Sequence, residues 1–478
     1  HAAIYYNNIT GFSYFFENDA ADVIGAILMR RRNEEIHIDE ISKQLMIDAE
    51  SIGAFAKDLM AEGLLTNAIA DEKSICKYRQ SVVDCRLSQP HEIDKTTTEK
   101  LPMDMSSAER LYQEKAGAVA SVMFELTYRC SEMCIHCYNI GATRNDEEES
   151  HRADVKELTI DEYKRVIDEL YDLGLFKVCF SGGDPFSNKN AWEMIEYVYS
   201  KEIAFDIFTN GQMLKEYKRL ADYYPRSVGI SVYSGIARDH DYITRISGSW
   251  EKSMKALREL SKLSVPLQLK CCIMRPNLKS YYMVYDLADS IEGDQCARSL
   301  RLQPNEMEVV LRDNNIKLYV GQEAPNYGGM KRDLAQNGCG AGENSFCITP
   351  NGDIIPCCSL HLIFGNVREQ SVANILSKSE NKRFWNNLTL KDYDECGRHD
   401  YCDYCNLCAG LNMSEHGTPI KAGENCCYTA KIRYNLAVRM SNDDYDPLQG
   451  KSLQERLSEF PDYTPIKLQR LLKKKSNG

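Results

Sequence analysis

Between Val119 and Gln303 short apolar runs alternate with longer amphipathic ones, and this alternation narrows the fold more than any other feature of the chain. The strand-like runs are Val119–Leu126, Phe176–Phe180, Ile203–Phe208, Val228–Val232, Pro266–Ile273 and Leu300–Gln303. Apolar residues three and four apart predict helices over Ile160–Leu173, Asn190–Lys201, Leu214–Tyr223, Ser249–Leu263 and Lys279–Ile291. Six such units predict parallel strands joined by right-handed crossovers. The expected fold class is therefore α/β, with a partial (β/α)6 TIM-like barrel at its centre. Chemistry in such folds collects at the carboxyl ends of the strands. Four unusual stretches fall there: Cys130–Cys137 after the first strand, Ser181-Gly182-Gly183-Asp184-Pro185 after the second, Thr209-Asn210-Gly211 after the third, and Ser231–Ser234 at the end of the fourth.

Cys130, Cys134 and Cys137 form a CxxxCxxC triplet. Thiolates at that spacing can close on one face of a [4Fe–4S] cube, while the next cysteine, Cys179, lies far off in a strand-like run. One iron is then left open, and an open iron is a reaction site rather than an electron wire. A zinc site completed by His136 or His151 is the alternative. The chain has 19 cysteines, no charged-then-apolar export signal and no run of 18 apolar residues. A cytoplasmic protein without a membrane span is expected, with cysteines that ligate clusters or metal rather than form disulfides. Cys179, Cys271, Cys272 and Cys296 sit in apolar segments and read as small core residues. A formal net charge of −12 argues against nucleic acid as a partner.

The triplet and the strand-end stretches resemble radical S-adenosylmethionine (radical SAM) enzymes. By that resemblance the Cys130, Cys134 and Cys137 cluster chelates SAM, and cleavage of SAM gives a 5′-deoxyadenosyl radical that abstracts hydrogen from a substrate. Gly182, Gly183 and Asp184 resemble the loop that holds the methionine amino group, with aspartate where the family usually has glutamate. Asn210, Ser231 and Ser234 are implied as contacts to ribose hydroxyls or the SAM carboxylate. The stretch His240–Trp250, together with Asn277, also resembles the superfamily and makes Arg245 a candidate carboxylate contact. An electron donor such as flavodoxin or ferredoxin is implied.

Ten further cysteines crowd between Cys339 and Cys427. Asn351-Gly352 is a hairpin signal that folds two cysteine-bearing strands together. A zinc ribbon is one reading of Cys402, Cys405 and Cys408, but there are too many thiols for one zinc. Seven to ten cysteines fit two clusters, and their order resembles the SPASM extension of radical SAM enzymes. That resemblance assigns auxiliary cluster I to Cys339, Cys357 and Cys408 with Cys347, and auxiliary cluster II to Cys396, Cys402, Cys405 and Cys427. Three [4Fe–4S] clusters are implied in all. The quartet here runs Cx5CxxCxxC where the family usually has CxxCx5CxxxC, and the vicinal pairs leave Cys357 or Cys358, and Cys426 or Cys427, open.

Residues 3–17 predict a hairpin, and Ala21–Arg32, Ile38–Met46 and Ala49–Leu65 predict three helices. Together they suggest a small winged helix-turn-helix. Its last helix carries Glu50, Asp58 and Glu62 against Lys57, a balance that repels phosphate. The unit resembles instead the leader-recognition element of maturases of ribosomally made peptides, where a peptide strand adds to the sheet edge. The expected domains are 1–90 for leader recognition, 91–118 as a polar connector, 119–330 for the barrel, 331–440 for SPASM, and 441–478 as a tail with a basic helix over Leu468–Lys475. The function implied is a radical SAM enzyme that cross-links a precursor peptide, by a thioether first or a carbon–carbon bond second. A SPASM sulfatase maturase that makes formylglycine, and an iron–sulfur transcription regulator, are the other readings.

Overall fold

The computed structural model describes residues 2–6, 13–28, 35–61, 65, 111–112, 119–139, 156–263, 265–291, 294–300, 302–314, 334–335, 339–343, 345–405, 407–442 and 445–464. Cys76, Cys85, His151, the connector over 91–110 and the helix expected over Leu468–Lys475 lie outside them.

The chain opens on the predicted hairpin, β1 (Ala2–Tyr6) and β2 (Ser13–Glu17), an antiparallel pair in which Ala2 faces Glu17 and Tyr6 faces Ser13. Three helices follow: α1 (Asn18–Leu28), α2 (Ile38–Leu45) and α3 (Ala49–Ala61). Val23, Ala26, Ile41 and Ile52 form a small core of their own. Phe16 on β2 packs edge-on against Phe55 on α3, with ring centroids 5.7 Å apart. Glu50 and Asp58 stay in solvent.

The barrel strands are β3 (Ser121–Glu125), β4 (Lys177–Ser181), β5 (Ala204–Thr209), β6 (Ser227–Ser231), β7 (Leu267–Met274) and β8 (Asp294–Leu300). Each pairs in parallel with the next in chain order. Between them run α4 (Ile160–Asp172), α5 (Ala191–Ser200), α6 (Tyr217–Asp222), α7 (Ala237–Thr244), α8 (Ser249–Lys262) and α9 (Met283–Ile291), and α10 (Pro304–Asn314) follows β8. Two expectations fail. The sixth strand lies at 294–300 rather than 300–303, because a seven-residue ladder to β7 outweighs its polar composition. Helix α7 was not foreseen, since its buried stripe is His240, Ile243 and Thr244, and two of those three are polar.

Strand alternation sorts the residues of the sheet onto two faces. Val122, Phe124, Val178, Phe180, Phe205, Ile207, Val228 and Ile230 face the helices, where Tyr163, Val166, Ile167 and Leu170 of α4 present one stripe to them. The other face, the barrel interior, receives Met123, Glu125, Cys179, Ser181, Asp206, Phe208, Ser227, Gly229 and Ser231. A Cβ on Gly229 would lie 2.8 Å from the Phe208 ring and 2.9 Å from Lys270 Cε, so its absence admits the Lys270 ammonium over that ring.

The cysteine-rich segment joins the same sheet. Strands β9 (Ser345–Ile348), β10 (Asp353–Ile355) and β11 (Gly365–Asn366) extend it beyond β3, giving nine strands in the order β11-β10-β9-β3-β4-β5-β6-β7-β8. The Asn351-Gly352 turn makes the predicted hairpin, with Ile354 opposite Ile348. Strand β9 runs parallel to β3, with Ser345 beside Ser121 and Cys347 beside Met123. Arg368 fastens this junction. It pairs with Glu162 at 2.7 Å and donates to the carbonyls of Lys156, Glu157 and Asn351. Glu162 meanwhile closes the capping box of α4 with Thr159. Helices α11 (Val372–Lys378), α12 (Glu380–Asn387), α13 (Ala409–His416), α14 (Glu424–Asn442) and α15 (Leu453–Ser458) follow among the described residues. No helix among the described residues is long and apolar enough to cross a membrane.

Candidate active site

The loop that carries Cys130, Cys134 and Cys137 has no helix or strand, so other loops fix it. Gly183 N–H donates to Thr127 O at 2.7 Å and Asp184 N–H to Arg129 O at 3.0 Å, which ties the loop's start to the end of β4. Met133 and Ile135 N–H groups donate to the carbonyls of Thr244 and Ile243, both at 2.9 Å, which lays its middle along the end of α7. Asn210, after β5, donates its amide to Cys130 Sγ at 3.4 Å and Ser131 Oγ at 3.3 Å. All four predicted strand-end stretches therefore meet at or beside this loop.

The three thiols are half-buried and close enough to repel one another as thiolates. Burial pushes Cys130 up to about 12, and Cys134 rises for the same reason with the charges of Glu132 and its two partner cysteines added. Glu132, inside the triplet, is buried; it accepts from Cys134 Sγ at 3.4 Å, and its Oε1 has no partner. Burial lifts its carboxyl to about 7. A loop that collects three thiols and a carboxyl without a facing cation has the donor set of a site built for an electropositive centre. Among the described residues no three His, Cys, Asp or Glu side chains already stand at metal-ligating distances.

Where the other predicted residues fall is informative. Cβ atoms on Gly182 and Gly183 would meet Thr127 O at 2.4 Å and Arg129 O at 2.3 Å, so both glycines are required by the backbone of the cluster loop itself. Asp184 is fully buried and engaged on both oxygens. Oδ1 accepts from Phe186 N, and Oδ2 from Thr209 Oγ1 at 2.5 Å and Asn210 N at 2.9 Å. Through these bonds it braces two strand ends. Ser234 is likewise committed, donating to Ser280 Oγ and accepting from Ile236 N, and Asn277 binds the carbonyls of Tyr233 and Cys272. Ser231 faces the interior within reach of the Tyr233 hydroxyl. Arg245 caps α7 in the left-handed conformation and lines an open cavity of about 540 Å³ with Ile135, Arg238, Asp241, Tyr242 and Ser247.

Three further residues stand at the site in places that the sequence does not predict. His136, the candidate fourth ligand of a zinc site, sits edge-on to Tyr233 with centroids 4.6 Å apart, and burial pushes its imidazole down to about 4. Tyr233 stacks on His240, whose Nδ1 accepts from the Tyr233 N–H. Cys272, expected in the core, faces inward and packs with Cys134 against Tyr233 and Met274. Position in a β7 whose inward residues alternate was the signal available for it.

The second cysteine field divides into two groups. Cys339, Cys357 and Cys408 are mutual neighbours, and burial pushes Cys357 up to about 11. Cys347, 1% exposed on β9, faces Glu125, Cys358 and Cys357 from the barrel side. Cys396, Cys402, Cys405 and Cys427 line one cavity walled by Leu390, Leu407 and Ala430. Cys426 is not in that lining, but its thiol hydrogen-bonds with Cys405, which holds it near 7.

Comparison with known proteins agrees with this arrangement. Residues 124–279 match the radical SAM superfamily and residues 339–409 match SPASM, described as an iron–sulfur cluster-binding domain. The barrel segment thus carries a radical SAM match and the cysteine-rich extension a SPASM match, domains that imply iron–sulfur clusters and SAM as cofactors. An AdoMet-dependent heme synthase of Methanosarcina barkeri is 25% identical over 60% of this chain and 90% of its own. The antilisterial bacteriocin subtilosin biosynthesis protein AlbA of Bacillus subtilis is 25% identical over 64% of this chain and 70% of its own. The crystal structure of Streptococcus suis SuiB bound to precursor peptide SuiA shares the fold with a TM-score of 0.52, at 13% identity, over 89% of this chain and 98% of that one.

Proposed function

We propose that this enzyme modifies a ribosomally made precursor peptide by radical chemistry, forming a cross-link that is a thioether before a carbon–carbon bond. The observation that carries the reading is an N-terminal unit with its own core and a two-stranded sheet, joined to a barrel and SPASM domain akin in sequence to those of a bacteriocin biosynthesis protein. The pair β1–β2 has no third strand among the described residues, and an extended leader segment would add to its edge beside α3.

In this reading Cys130, Cys134 and Cys137 hold a [4Fe–4S] cluster that binds SAM. The chemistry supplied there is one-electron cleavage of SAM to a 5′-deoxyadenosyl radical, fed by a flavodoxin- or ferredoxin-like donor. The chain's own part is to orient and to exclude water. Asn210 steadies Cys130, Asp184 braces the loops around it, and Gly182, Gly183, Ser231, Ser234 and Arg245 shape the surroundings of SAM. Cys339, Cys357 and Cys408 form one auxiliary site, leaving Cys347 to the barrel interior, and Cys396, Cys402, Cys405 and Cys427 form the other. Clusters held at those two sites would supply an acceptor for the electron released when the product radical closes.

Co-expression with a short peptide, if one is encoded beside the gene, followed by mass spectrometry, tests the proposal. A loss of two hydrogens per link is expected, and an unchanged peptide overturns it. The kinship with heme synthases favours a second reading, which heme formation by the same cells in place of peptide modification would select.

A further inference from the structure

Glu125 is a buried carboxyl that neither the cluster loop nor the auxiliary sites account for. It ends β3, five residues before Cys130, and alternation turns it to the barrel interior beside Ser181 on β4. It is 1% exposed, and its Oε2 has no hydrogen-bond partner among the described residues. Burial alone lifts its carboxyl to about 8.

The groups that face it deepen the imbalance. Tyr128, Tyr138 and Cys347 all feel its charge, and all three are pushed upward by burial and by acidic neighbours. Tyr138 is partly exposed as a residue, while its hydroxyl reaches Ser181. The interior cation Lys270 lies over the Phe208 ring and on the side of Cys179. Among the described residues no lysine or arginine pairs with Glu125. A buried carboxyl left without a cation is costly, and a charge-assisted hydrogen bond relieves that cost. The position ends the strand that leads directly into the loop carrying Cys130, Cys134 and Cys137, on the interior face of the barrel.

We propose that Glu125 is a recognition residue whose free oxygen receives the ammonium or guanidinium of a lysine or arginine in the peptide segment presented to the barrel. The inference rests on the peptide-modifying reading and names the side-chain class that the interior selects. Glu125 makes no bond to the reacting atoms.

The test uses the full chain with its clusters reconstituted anaerobically and SAM present. The probes are N-acetyl-Ala-Lys-Ala-amide and its uncharged norleucine counterpart, compared by titration calorimetry. The wild-type chain is expected to bind the lysine probe about tenfold or more tightly than the norleucine probe, the scale of one charge-assisted hydrogen bond. E125Q keeps the shape of the side chain and is expected to bind both alike, and E125D to keep part of the preference. Equal binding of the two probes by the wild-type chain overturns the proposal without any variant, and so does an unchanged preference in E125Q. The probes carry no leader and need no turnover. A failure of peptide modification in cells therefore leaves this result standing, and loss of the lysine preference leaves that modification untouched.

Discussion

Cys130, Cys134 and Cys137 hang on a loop held from outside by the ends of β4, β5 and α7, whereas Cys396, Cys402, Cys405 and Cys427 wall a cavity of their own. The first group brings three thiols to the mouth of a barrel, with Asn210 and Glu132 against them. The second brings four thiols together behind Leu390, Leu407 and Ala430. Three ligands leave a cluster a coordination position for a reactant, and four close it. In the function proposed above, the contrast separates a site made for chemistry from one made for holding an electron. The loop of the first group depends on distant strand ends, so its geometry is tied to the barrel.

Replacing all three of Cys130, Cys134 and Cys137 by alanine is the strongest probe of that contrast. SAM cleavage is expected to vanish while about two thirds of the iron remains, as three equal clusters require. Total loss of iron would mean that the two fields do not assemble independently. Next, Cys427→Ala is expected to lose the iron of the closed site while Cys426→Ala keeps it, and Cys357→Ala to lose iron where Cys358→Ala does not. Equal iron in either pair would erase the division drawn from the thiol neighbours. Deleting residues 1–70 is expected to weaken leader-peptide binding about tenfold or more and leave uncoupled SAM cleavage intact, as read by calorimetry and by 5′-deoxyadenosine release.

The smallest effect concerns the bond between the two regions. Arg368→Ala removes the pairing with Glu162 and three carbonyl contacts, and is expected to cost about 2 kcal/mol in denaturant unfolding of the cluster-free chain. Arg368 holds the Glu162 carboxyl down at about 2, below its ordinary 4.5. A depressed carboxyl stabilises above its ordinary value. That contribution is lost as pH falls from about 4.5 towards 2. The variant is expected to show a flatter stability profile over that window, and an identical profile would remove the latch.

Much of this was legible in residues 119–303. Five of the six strands lie within one or two residues of the apolar runs, because a strand packed under helices must show its apolar face. The sixth hid because Asp294-Gln295-Cys296-Ala297-Arg298-Ser299 gains its order from β7 rather than from its own pattern. Helix α7 hid behind His240 and Thr244, polar residues doing the packing of apolar ones. At the site, cysteine spacing carried the chemistry, but hydrogen-bond commitments did not show. Asp184 and Ser234 have the residue types of ligand contacts, and only their partners reveal them as braces. Glu125 was invisible for the opposite reason, since a single carboxyl at the end of an apolar strand gives no motif.

The parallel ladder between β3 and β9 also sets a timetable for the nascent chain. Ser121 must wait for Ser345, more than two hundred residues downstream, before the outer edge of β3 is covered. At ordinary rates of synthesis that interval lasts roughly 10–45 s. During it the first barrel strand presents an open edge next to the cysteine loop, a template for unwanted strand pairing. The hairpin of β9 and β10 closes that edge when it arrives, so the first barrel strand is completed only by the cysteine-rich segment at the far end of the chain.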